Sequence, residues 1–236
     1  MQDIMVIDRT NLSDSDECIG APSTPCEPEV VHYNDTDYQT DYFPNLNDRN
    51  DKAVLSIDVG FVNLGYTIFN TSTSTIVDWD CRNIQLDKVY NILDVVEKVH
   101  SFIRSLDMLL MRYESVDVVI EKQQQRRNSS CSIPPSVYKL GIIEGILHSY
   151  FVHKYSKEHV FSIDARLVKF YFNIMAIKKD KKQRTIEMAK RILRDGYVQD
   201  NMIHVCSAHK ARFNQRKKKD DMADSLLMCL YFVFDH

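Results

Sequence analysis

The chain is predicted to fold as an α/β domain on a mixed five-stranded sheet flanked by helices, and three stretches carry that prediction. Residues 54–70, VLSIDVGFVNLGYTIFN, describe a buried strand, a turn at Gly60 and Asn63, and a returning strand that alternates polar and apolar residues. Residues 116–120, VDVVI, form a second short apolar run after a long helical segment, the spacing of a parallel crossover. Residues 220–234, DDMADSLLMCLYFVF, form a closing helix that is apolar on nearly every side yet carries two aligned acids.

The remaining elements follow in order. Residues 75–79 make a third strand, and residues 86–111 show helical spacing through Val89, Ile92, Leu93, Val96, Val99, Phe102, Ile103, Leu106 and Leu110. After the VDVVI strand comes a polar basic loop, KQQQRRNSSCSIPPS. A helix over 137–151 follows, its apolar face interrupted by Gly141 and Gly145. Small residues there permit close approach of another backbone, either the sheet or a second copy. Residues 159–163 form the last strand, 164–177 a helix, 178–182 (KKDKK) a basic turn, and 184–194 another helix. A basic loop over 209–219 precedes the closing helix. Three strands, helix, strand, helix, strand and helices is the layout of an RNase H-like fold.

Charge is distributed unevenly. Residues 1–50 hold eleven acids against two arginines, whereas the rest of the chain holds 28 Lys and Arg against 22 Asp and Glu. Residues 1–51 also contain four of the six prolines and no apolar periodicity, the composition of a disordered acidic tail. An alternative is that its acids, interleaved with Tyr33, Tyr38 and Tyr42, imitate nucleic acid and shield the basic body. The domain is then 52–236, and its basic balance favours a polyanionic partner. Six scattered cysteines, no secretory leader and no long apolar run predict a soluble intracellular protein without a membrane partner. His204, Cys206 and His209 are close enough to suggest a metal clip, but no second ligand pair stands nearby and an ordinary loop is preferred.

The acids are the chemically informative residues. Asp58 sits in a strand apolar on both faces, where a carboxylate needs a partner. Glu121 ends the VDVVI strand, and parallel pairing of the two strands would make Asp58 and Glu121 neighbours. Asp221 and Asp224, three apart on a helix, are separated by about 60° around its axis and share a face. Acids in a first helical turn are favoured by the helix dipole, which accounts for Asp220 and Asp221 but less well for Asp224. Four such charges cannot persist unpaired at low dielectric, and oxygen-only ligation suits Mg²⁺ or Mn²⁺. Two ions about 4 Å apart activate a water and stabilise the leaving oxygen of a phosphodiester, which points to hydrolysis of a nucleic-acid strand.

IDVG at 57–60, VVIEKQQQRR at 118–127 and RKKKDDMADSLLMCLYFV at 216–233 resemble the poxvirus Holliday junction resolvases, relatives of bacterial RuvC in the RNase H-like superfamily. The likeness covers about residues 52–236. It implies a homodimeric, Mg²⁺-dependent endonuclease, with Mn²⁺ as substitute and two ions per site, that nicks opposing strands of a four-way DNA junction during viral recombination. Asp58, Glu121, Asp221 and Asp224 match the family's four acids, with Asp220 a bystander. The family's catalytic lysine falls in KKDKKQRTIE at Lys181 or Lys182, of which Lys182 is preferred. Arg126, Arg127, Lys181, Lys217, Lys218 and Lys219 are candidate phosphate contacts, against the ordinary reading of a solvated face. Phe213 could stack on an exposed base, although packing is the commoner role. The analogy favours host cytoplasm, with the nucleus left open. The chain differs from the family in its acidic N-terminus and in the extra residues NSSCSIPPSV.

Other classes remain to be weighed. The same acids would serve a nuclease acting on flaps, hybrids or duplexes, and a non-catalytic junction-binding module would keep the basic surface without needing them. Actin-like and sugar-kinase proteins also begin with Asp-x-Gly on a first strand, but they need two such domains, which about 185 residues cannot supply.

Overall fold

A computed structural model describes residues 51–85, 91–123, 135–174 and 180–235. The acidic tail expected over 1–51, Arg126, Arg127 and most of the NSSCSIPPSV insertion lie outside the described residues.

Strands β1 (Lys52–Asp58), β2 (Asn63–Asn70) and β3 (Thr75–Asn83) form an antiparallel meander. Helix α1 (Ile92–Leu110) crosses over to β4 (Ser115–Glu121), which pairs parallel to β1 as expected. Helix α2 (Pro135–Tyr155) then leads to β5 (Val160–Ile163), parallel to β4. Helices α3 (Ala165–Tyr171) and α4 (Lys181–Asp195) follow, then the small ribbon of β6 (Tyr197–Val198) and β7 (Asn201–Met202), strand β8 (His204–Val205), and helices α5 (Ser207–Gln215) and α6 (Asp220–Asp235).

The sheet is mixed, as predicted, with one addition. The two-residue β8 pairs parallel to β3 and makes the order β5-β4-β1-β2-β3-β8, six strands instead of five. So short a strand leaves no periodicity in the sequence. The stretch 209–219 also differs from expectation, because most of it is helix α5 and not a loop. The Cys206 sulfur accepts from the His209 amide at the N-cap of α5, and Phe213 anchors the helix by stacking on Trp79 at 4.8 Å between ring centroids. Phe213 is fully buried, so it packs and does not face a base.

Strand alternation sends side chains to two cores. Ala53, Leu55 and Ile57 of β1 join Tyr66, Ile68, Val118 and Ile120 against α1 and α2. Val54, Phe69, Trp79 and Val119 face α4, α5 and α6. On this second face β1 continues with Ser56 and Asp58, and β2 contributes Gly65 and Thr67. The result is a polar track under α6 within an otherwise apolar layer.

That track pins the helix. The Ser56 hydroxyl donates to the carbonyl of Ser225 at 2.9 Å, the Thr67 and Ser225 hydroxyls lie 3.2 Å apart, and the Trp79 indole donates to the Met222 carbonyl at 2.8 Å. These buried polar groups are thus satisfied, which sets both the rotation and the height of α6. At Gly65 the backbones touch: an added Cβ would fall inside the van der Waals envelope of the Asp221 carbonyl, so only glycine lets α6 begin here.

On the far side, Asp78 ties β3 to α5. It accepts from the Tyr66 hydroxyl at 2.7 Å and from Arg212 at 3.2 Å, with His209 at 3.4 Å. Burial opposes its charge, but the hydrogen bonds from His209 and Tyr66 and the Arg212 charge bring its pKa down to about 2.

Gly65→Ala is expected to lower stability by about 1–3 kcal/mol, measured by thermal unfolding, because overpacked backbone has no side chain to give way. Asp78→Asn should cost about 2 kcal/mol at pH 7. Since the native carboxyl titrates below its unfolded value, that deficit should be complete above about pH 4 and narrow as pH falls further towards 2, in urea unfolding of both proteins.

Candidate active site

Ile57 pairs with Ile120, so the next residues along the parallel strands, Asp58 and Glu121, lie side by side. Both belong to the alternation that faces α6. The strand ends are held open by the turn that follows β1: a Cβ at Gly60 would strike the Asn63 carbonyl, so the IDVG glycine serves the turn geometry. Asn63 then donates its side-chain amide to Asp221 Oδ2 at 3.0 Å. Glu121 is positioned in turn by Gln123, whose side chain donates to it at 3.1 Å while the Gln123 amide donates to Glu144 at 3.3 Å.

Helix α6 completes the group. Asp58 is held well above the ordinary carboxylate range, first by burial, then by the charges of Glu121 and Asp224, a hydrogen bond with Glu121, and the charge of Asp221. Asp224 is pushed up to about 6, again by burial, which outweighs the pull of Lys169; Glu121, Asp220 and Asp221 add to the rise. The four acids singled out in the sequence are therefore in one electrostatic neighbourhood. The helix-pair acids are not equivalent: Asp221 is ion-paired with Lys218, whereas the cation nearest Asp224, Lys169, stands 3.8 Å away.

Lysines surround the acids on three sides. Lys182, the preferred catalytic lysine, places Nζ 2.6 Å from Asp220 Oδ2 at the start of α4. Its hydrogen bond to Asp220 raises its pKa and lowers that of Asp220 against the effect of burial. Asp220, expected to be a bystander, is thus buried and engaged in holding Lys182. Lys218 donates to both oxygens of Asp221, at 2.8 and 3.1 Å. Lys181 and Lys217 are exposed, and Lys219 donates to the Arg216 carbonyl.

Lys169 was not among the sequence candidates. It lies on α3, directly after β5, and the strand order places β5 beside β4 and hence beside Glu121. That adjacency was the only available signal, because a single lysine in DARLVKFYF has no motif around it.

The residues fit a hard divalent cation in chemistry. Asp58, Glu121 and Asp224 are oxygen donors whose crowding is relieved by positive charge, and Asp221 is a fourth donor beside them. Among the described residues no three His, Cys, Asp or Glu side chains are already drawn together closely enough to hold an ion, so ligation requires side-chain adjustment. His204, Cys206 and His209 do not form a clip either; Cys206 caps α5 and its sulfur lies 3.1 Å from His209 Nδ1.

No curated protein matches the sequence. Among solved structures, the yeast mitochondrial Holliday junction resolvase Ydc2 is 17% identical over 78% of each chain, with a TM-score of 0.56. Thermus thermophilus RuvC is 16% identical over 76% of this chain and 94% of its own, with a TM-score of 0.45. The same RuvC in complex with a Holliday junction substrate is 16% identical over 77% and 94%, with the same TM-score of 0.45. The fold is RNase H-like, as the order of elements predicts. The family described as mitochondrial resolvase Ydc2 / RNA splicing MRS1 matches residues 54–234, nearly the whole of the described chain, and the protein belongs to that family.

Proposed function

We propose that the protein is a metal-dependent endonuclease that resolves four-way DNA junctions. The observation that carries this reading is the crowding of acids around Asp58, which lies beside Glu121 and near Asp224 and Asp221 and is held well above the ordinary carboxylate range by burial and by those charges. The family description covers both resolvases and an RNA-splicing protein, so membership alone leaves catalysis open. Crowded acids favour catalysis, because a module that only binds a polyanion gains nothing from gathering four negative charges.

Within the proposed site Asp58, Glu121, Asp221 and Asp224 would hold the cations, Mg²⁺ with Mn²⁺ as substitute and two per site. When bound, these supply Lewis acidity toward the attacking water and the leaving oxygen of a phosphodiester. The protein's own part is positional. Gln123 and Asn63 orient Glu121 and Asp221, and Lys169 and Lys182 would supply fixed positive charge against the negative charge that grows on a phosphate in the transition state. Arg126, Arg127, Lys181, Lys217, Lys218 and Lys219 are proposed to track the DNA backbone.

A junction cut on opposing strands calls for two sites, and α2 is the proposed homodimer surface. Among the described residues neither Gly141 nor Gly145 has an atom from beyond its own helical backbone within 4 Å of where a Cβ would stand, so packing among them does not use these glycines. A shallow depression lined by His100, Ile142, Gly145, Ile146, Ser149 and Tyr150 lies alongside. The likeness of the three motifs to poxvirus resolvases further suggests viral DNA recombination as the setting, in host cytoplasm or nucleus. Residues 1–51 are proposed to be an acidic tail separate from the resolvase domain. No described helix is long and apolar enough to cross a membrane.

The test is cleavage of a labelled immobile four-way DNA junction in Mg²⁺, with linear duplex, flap and RNA-containing junctions as controls. Paired symmetric nicks in the DNA junction are expected, and Asp58→Asn should reduce them by about a thousandfold. Equal cutting of every substrate would sink junction specificity. Binding without cutting, in Mn²⁺ as well as Mg²⁺, would leave only a binding module. Replacing Lys217 and Lys219 by methionine should weaken junction binding and reduce the slope of log affinity against log salt by about one for each lysine that contacts a phosphate.

A further inference from the structure

Lys218 differs from its neighbours in the basic turn. Its ammonium engages both oxygens of Asp221, at 2.8 and 3.1 Å, and lies 4.0 Å from Asp220. Burial opposes its charge, yet the Asp221 hydrogen bond and charge raise its pKa. The same Asp221 Oδ2 accepts from Asn63, so that carboxylate is aimed and already matched with one cation. Lys217 is exposed, and Lys219 turns back onto the Arg216 carbonyl.

The turn that delivers Lys218 is itself anchored. Arg216 pairs with Asp80 at 2.5 Å, and Arg212 bridges Asp78 at 3.2 Å and Asp80 at 3.6 Å. Asp80 is buried on β3, so the backbone carrying Lys218 is tied to the sheet while the lysine side chain remains more than half exposed. A fixed base with a free arm allows the ammonium to leave Asp221 without disturbing the fold.

We propose that Lys218 is a built-in counter-ion of Asp221 that exchanges with the divalent cation, and that the released ammonium turns to a phosphate of bound DNA. The inference rests on the metal reading above and adds to it an order of events and a coupling. An ammonium and a small divalent ion compete for the same oxygen lone pairs. The ion needs those oxygens at about 2.0–2.1 Å, and two cations that close repel one another. The exchange has a reciprocal consequence: cation binding frees one phosphate contact, and DNA that draws Lys218 away leaves Asp221 open to the cation. In the absence of both, Lys218 offsets part of the charge that Asp221 adds around Asp58 and Asp224.

The experiment is Mn²⁺ binding to the full chain without DNA, read from the loss of the free-ion electron paramagnetic resonance signal. Wild type is compared with Lys218→Met, Lys218→Gln and Lys217→Met, and with Lys218→Met in an Asp221→Asn background. Both Lys218 variants should bind Mn²⁺ about two- to fivefold more tightly than wild type, the range expected from loss of one exposed ion pair. Lys217→Met should change affinity less, and the gain should vanish when Asp221 is already asparagine. An equal gain in Lys217→Met, or none in either Lys218 variant, would overturn the exchange and leave the metal site standing. Failure of wild type and all variants to bind Mn²⁺ would overturn the metal reading and the exchange together.

Discussion

The structure depends on one electrostatic constraint: several carboxylates are held close together with less fixed positive charge than they need. Asp58 and Asp224 carry the constraint, since burial and mutual repulsion raise both above the ordinary range. Nothing in the packing removes the conflict. The parallel pairing of β1 with β4 sets Asp58 beside Glu121. The hydrogen bonds from Ser56, Thr67 and Trp79 then fix α6 so that its acids face that pair. The fold thus holds like charges together, a conflict that the proposed cation would relieve.

The lysines divide the site into two halves. Asp220 and Asp221 are each matched by a lysine, Lys182 and Lys218, at ordinary ion-pair distances. Asp58 has no such partner among the described residues, and Asp224 has only Lys169 at 3.8 Å. The matched acids lie in the first turn of α6, next to the basic turn; the unmatched ones are Asp58 at the end of β1 and Asp224 one turn further along α6. Positive charge from the protein is thus concentrated on one pair of acids, and the other pair is where the proposed cation would be needed. The Asp78 and Asp80 network behind β3 holds that basic turn in place, which links the stability of the α5 region to the geometry of the site.

Much of this was legible in the sequence because it rests on periodicity and on acids in apolar surroundings. The strand alternation of IDVG, the crossover to VDVVI and the acids three apart in DDMAD led to the parallel pairing of β1 with β4 and to four acids that the fold brings into one neighbourhood. What escaped were features that only three-dimensional adjacency creates. Strand β8 is too short to leave a pattern, and α5 looked like a loop because its exposed polar and basic residues hide its two buried anchors, His209 and Phe213. Lys169 comes near Asp224 only because β5 pairs with β4, and Asp220 looked idle until α4 brought Lys182 to it. The sequence shows which residues could carry charge; the tertiary pairing decides which charges are matched.

The central claim, that the acid cluster is a cation site strained by its own charges, is tested most directly by the thermal stability of wild type and Asp58→Asn with and without Mn²⁺. A raised native pKa means that ionising Asp58 destabilises the fold as pH rises above the unfolded value, so removing the charge should relieve strain at pH 7. The account predicts that the metal-free variant melts above metal-free wild type, and that Mn²⁺ raises the melting temperature of wild type far more than that of the variant. A variant less stable than wild type without metal, with neither protein responding to Mn²⁺, would contradict it.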